Sequence, residues 1–127
     1  MQTETNEVEI NGGKYIRKDS QEKQAESVNG MKYCVIRSYG AGVFCGYVKD
    51  QKADVNGVNV TLIKSRRIWY WSGACSLSQM AVEGSKTISD CKIAMVVPEQ
   101  FVANVIEIIP MSEKAKNNIE GASVWKK

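Results

Sequence analysis

Between Lys32 and Lys64 the chain is written as three runs rich in β-branched and aromatic residues, KYCVIRSY, VFCGYVKD and VNVTLIK. In the first run, alternation puts Tyr33, Val35, Arg37 and Tyr39 on one face and Cys34, Ile36 and Ser38 on the other. GAG at 40–42 breaks the first run from the second, and the polar loop QKADVNG at 51–57 breaks the second from the third. Three strand-like runs with short breaks specify an antiparallel meander or the start of a small barrel. The next stretch, RRIWYW at 66–71, continues or restarts the third strand.

The remaining segments fill in an α+β fold. EVEINGGKYIRKD reads as a hairpin turning at Asn11-Gly12. SQEKQAESVNG reads as a polar linker or a poorly packed helical turn, with a soft boundary near Gly30, so that residues 1–30 form a hairpin and linker and residues 31–127 the ligand-binding body. Ser76-Leu-Ser-Gln79 has the spacing of a capping box, and Leu77, Met80 and Ala81 share one helical face before Gly84 ends the helix. CKIAMVV is a candidate strand stopped by Pro98, and FVANVIEIIP reads as another ending at Pro110 or as a segment helical in its first half. Ser112 to Glu120 suits a short surface helix, and the tail ASVWKK is able to pack Val124 and Trp125 on the body. The sum is an antiparallel β-sheet with two short helices.

At 127 residues the chain is one domain large enough to bury a core without metals or disulfides. Residues 1–30 carry six acids against four bases, and the rest thirteen bases against eight acids. The body is therefore mildly basic, which favours an anionic ligand over an extended nucleic-acid groove. Its apolar runs are too short to span a membrane and it opens on no signal segment, so a cytoplasmic protein is expected. Cys34, Cys45, Cys75 and Cys91 are widely spaced and unaccompanied by histidine, which favours free buried thiols over a zinc site. No metal or cofactor is expected.

RRIWYW followed by a helix start is the most pointed constellation. In an extended strand Arg67, Trp69 and Trp71 share one face, and Arg66, Ile68 and Tyr70 the other, so a single arginine lies beside the tryptophans. Arg66 or Arg67 would contact a phosphate; Trp69, Tyr70 or Trp71 would stack on a base; Ser72 and Gly73 would offer backbone donors at the helix start. The same residues are equally a core beneath the helix with solvated arginines. Arg37, mid-strand among apolar residues, needs a partner, either an internal acid such as Glu107 or an anionic ligand. Gly40, Gly42 and Gly46 allow a close backbone approach or simply a tight turn. Without histidine, and without a nucleophile elbow or a zinc-protease motif, a binder is expected rather than an enzyme.

Across about residues 31–125, VIRSYGAGVFCGYV, SRRIWYWSGACSLSQMAVEG, CKI and VIEIIPMSEKAKNNIE resemble a family of small phage and prophage proteins. The resemblance implies a phage accessory protein, similar to the anti-defence sponges that sequester nucleotide signals of bacterial immunity, the Thoeris sponges among them. It carries over no residue of a site. The function expected is sequestration, without cleavage, of a cyclic ADP-ribose isomer or cyclic oligonucleotide, in the host cytoplasm and by a homo-oligomer. The alternatives are a single-stranded nucleic-acid binder and a protein that inhibits a host factor.

Overall fold

The computed structural model describes residues 7–10, 13–16, 23–55 and 57–126. Its elements run β1 (Glu7–Ile10), β2 (Gly13–Ile16), β3 (Lys32–Ser38), β4 (Gly42–Asp54), β5 (Gly57–Tyr70), α1 (Leu77–Glu83), a 3-10 turn at Ile88–Asp90, β6 (Lys92–Ile93), β7 (Val97–Pro110) and α2 (Glu113–Glu120). β1 and β2 pair antiparallel as the expected hairpin, its Asn11-Gly12 turn lying outside the described residues. The body is the expected α+β fold, a five-stranded antiparallel sheet with two helices.

The four long strands close on one another. β3 pairs with β4, β4 with β5, β5 with β7, and β7 back with β3, every pair antiparallel. β6 adds to the end of β5, Ile68 opposite Ile93. Closure satisfies the ladder groups that an open sheet would leave on its edges. It also divides the apolar residues by strand alternation into two cores. Cys34, Ile36, Phe44, Val60, Leu62, Val102 and Val105 fill the barrel interior. Tyr33, Val35, Val43, Cys45 and Ile68 face outward and are covered by α1 and α2 through Leu77, Met80, Ala115 and Ile119.

Such tight closure requires sharply bent strands, and bulges supply the bend. The β4–β5 register shifts between Cys45 and Tyr47, where Gly46 faces Lys64 and Ser65. Lys64 adopts φ 55°, and a Cβ on residue 46 would stand 3.0 Å from the Ser65 Cα. A side chain there would press on the Ser65 backbone.

Three segments differ from the sequence reading. The polar loop at 51–57 is instead the far end of a long hairpin, β4 running to Asp54 and pairing with Gly57. The side chains of residues 51–55 are exposed, so the backbone ladder forms without the apolar alternation that marks a half-buried strand. The CKIAMVV strand shrinks to Lys92–Ile93, and Pro98 lies inside β7. Pro98 sits one residue from the strand's start, where its missing N–H costs no more than one rung. Residues 23–30 are docked rather than linking: Ala25 is buried and donates its N–H to the Met111 carbonyl at 3.1 Å.

Both helices start as their caps dictate. The Ser76 hydroxyl accepts from the Gln79 N–H, while the Gln79 side chain takes the N–H of Cys75. Ser112 accepts from the Ala115 N–H and donates to the Val82 carbonyl, which ties α2 to the end of α1. Cys34, Cys45 and Cys91 are buried free thiols; Cys75 is free and exposed. Among the described residues no helix is long and apolar enough to cross a membrane.

Candidate functional site

β5 ends the barrel and hands its last residues to opposite sides of the sheet. Backbone partners point the same way, so Ile36, Phe44 and Arg67 share the interior face, and Arg37, Val43 and Ile68 share the helix face. Arg67 and Arg37 therefore lie on opposite faces, two strands or roughly 10 Å apart. The structure does not bring them together.

Arg66 is turned into the helix-side core and is 2% exposed. Its Nε donates to the Ala94 carbonyl at 2.7 Å, Nη1 to those of Ile119 and Ala122 at 2.8 and 2.9 Å, and Nη2 to that of Ile93 at 3.5 Å. Ile119 and Ala122 close the last turn of α2, so a buried cation completes the negative end of that helix. Burial lowers the Arg66 pKa, opposed by Tyr33, Cys45 and Glu120 around it. The phosphate role expected of Arg66 is corrected: every guanidinium nitrogen already donates to a backbone carbonyl. Arg37 lies 3.8 Å from Glu107 across the β3–β7 ladder, the internal acid that the sequence offered as its partner.

Arg67 is the arginine beside a tryptophan. It donates through Nη2 to the Ala41 carbonyl and lies 5.2 Å from the Phe44 ring centre and 4.1 Å from that of Trp69. The distance to Trp69 is that of a guanidinium stacked on an indole. Trp69 itself is 55% exposed, at a register shift where β5 bulges against β6. Trp125 stands beside it, ring centres 6.3 Å apart and planes tilted by 55°. The tail is placed there by the Trp125 N–H, which donates to the Ile93 carbonyl at 2.8 Å, and the Lys92 ammonium sits 5.4 Å from the Trp125 ring centre. Tyr70, opposite Lys92, is also half exposed.

The tryptophans thus part company. Trp71 packs against the helix-side core and is lost to the site, while Trp69 stays at the surface. Ser72 and Gly73 are likewise not donors at a helix start, because α1 begins only at Leu77. They close a loop instead. The Ser72 hydroxyl meets that of Thr87 at 2.7 Å, the Ser72 carbonyl accepts from the Ser85 hydroxyl, and the Gly73 carbonyl accepts from the Lys86 N–H. At φ 79° Gly73 lies so close to 86–87 that a Cβ would stand 2.6 Å from the Thr87 nitrogen.

What survives is one continuous surface of Arg67, Trp69, Tyr70, Lys92 and Trp125. It offers two indoles for stacking and two cations for an anion. Lys92 and the placement of Trp125 beside Trp69 were not legible in the sequence. Fifty-odd residues separate Trp69 from the tail, and the signal was a third tryptophan in a short terminal segment. Residues 31–119 match the family described as a domain of unknown function (DUF6948), and the chain belongs to that family. No curated protein and no solved structure matches it.

Proposed function

We propose that this member of the DUF6948 family binds a nucleotide-derived anion on the Arg67–Trp69–Trp125–Lys92 surface and retains it without cleavage. The observation that carries the reading is the half-exposed Trp69 with a guanidinium stacked on it and a second indole and a lysine alongside. A purine offers a flat face to the indoles and its phosphates an anion to Arg67 and Lys92. The resemblance to phage proteins supplies the biological setting: a phage-encoded anti-defence sponge that sequesters a cyclic ADP-ribose isomer or a cyclic oligonucleotide made by host immunity, as a homo-oligomer in the host cytoplasm.

Equilibrium dialysis against such nucleotides tests retention directly. The expected result is stoichiometric ligand, chemically intact when released by heat; recovery of a cleaved product would replace the sponge with a hydrolase. The exposed Tyr39, Met95 and Val96 favour a second reading, a protein-binding inhibitor anchored by the same aromatics. Capture of one host protein in stoichiometric amount, with no nucleotide released on denaturation, would select it. A single-stranded nucleic-acid binder would instead show affinity that rises with oligonucleotide length and falls steeply with salt.

A further inference from the structure

The two ends of the barrel interior are finished differently. At one end Arg67 lies across Phe44 and stoppers the core. At the other, the register carries the interior face outward to Lys32, the partner of Val48, to Cys34, the partner of Gly46 and Pro110, and to Ile108, the partner of Ile36. Gln51 pairs with Val60, itself an interior residue, and so faces the same way. These side chains, with Gly30, line an open cavity of about 480 Å³. That volume falls among small-molecule pockets, about 300–1,000 Å³, and barrel mouths are a recurrent place for them.

The chemistry of the lining is asymmetric. Cys34, Val48, Ile108 and Pro110 make an apolar floor and wall. Burial pushes the Cys34 thiol up to about 11, so at neutral pH it is an uncharged part of that floor. Lys32 is the single charged residue of the lining, set on the inward-facing register at the rim, and among the described residues no carboxylate pairs with it. An apolar well under one unpaired ammonium, with an amide beside it, suits a ligand with an apolar body and one negative oxygen head.

We infer that the open barrel end is a second binding site, distinct from the Trp69 surface, for a small amphipathic carboxylate. The body enters toward Cys34 and Ile108, and the carboxylate stays at the rim on Lys32 and Gln51.

Calorimetric titration of the full chain with sodium hexanoate, octanoate and decanoate, and with octanol, tests this. Each methylene buried should tighten binding about fourfold, until the cavity is full. Lys32→Gln should weaken octanoate two- to fivefold and leave octanol unchanged. On the unaltered protein, saturating octanoate should slow methylthiolation of Cys34 without affecting the exposed Cys75, a readout that depends on no variant. Affinity independent of chain length, equal effects of Lys32→Gln on octanoate and octanol, or unprotected Cys34 at saturation would each overturn the assignment.

Discussion

Two adjacent arginines set the residue-scale contrast. Arg66 completes the end of α2 from within the core, whereas Arg67 lies over an indole at the surface. Arg66→Met leaves the carbonyls of Ala94, Ile119 and Ala122 without their buried donor, and the expected loss is about 3 kcal/mol, read by urea denaturation. Trp69→Ala, at a half-exposed position, should alter stability by less than about 1 kcal/mol yet weaken nucleotide affinity roughly tenfold or more. Calorimetry on both variants separates the roles: the first should bind normally while still folded, the second should fold and bind weakly. Alternation in the sequence put Arg67, and not Arg66, on the face of Trp69, and the structure stacks those two side chains. It could not say which face of β5 the helices cover. That depends on α1 and α2, far along the chain.

At the scale of elements, punctuation by small and capping residues was more legible than strand length. Ser76, Ser112 and Gly84 mark the helix ends where the spacing put them. The extent of β4 and β5 was hidden, since residues 49–54 of β4 are mostly polar and exposed and Pro98 is tolerated at the start of β7. Gly73 and Gly84 are the positions where positive φ coincides with a space that a Cβ would overfill, against Thr87 and Asn118. Gly73→Ala adds strain at positive φ to a collision with Thr87. It should cost on the order of 2–3 kcal/mol. Because Gly73 holds only the 72–87 loop, its variant should keep the barrel's far-UV dichroism and lose near-UV signal from Trp71. Equal loss of both signals would show that the loop and barrel unfold as one unit.

The whole molecule carries its ionisable groups in the sheet on both sides of the barrel wall, and this sets its response to alkali. Burial raises the Cys34 thiol from 9.0 to about 11, and burial likewise raises Cys45 and the Tyr33 hydroxyl, which has no hydrogen-bond partner among the described residues. Each is neutral in the fold while the unfolded chain ionises first, so their stabilisation is fully present below about pH 9. It is lost as pH rises, the Cys34 share by about pH 11. Unfolding free energy in urea should fall from pH 9 upward, and a Cys34→Ala, Cys45→Ala double variant should fall less steeply. The barrel's closure was foreseen only as one of two outcomes, because β7 pairs with β5 up to Val105 and with β3 from Val105 on, across register shifts at 103–104 and at Ile106 that no local pattern announces. The central claim, that this closed fold presents Trp69 and its cations to a nucleotide, is tested most directly by a thermal-shift panel of mono-, di- and cyclic nucleotides and cyclic ADP-ribose isomers on the unaltered protein and Trp69→Ala. At about a thousand times its dissociation constant, one nucleotide class should stabilise the protein by roughly 4 kcal/mol, and Trp69→Ala should cut that to about 2.7 kcal/mol or less. No shift with any nucleotide, or one that Trp69→Ala leaves intact, would contradict it.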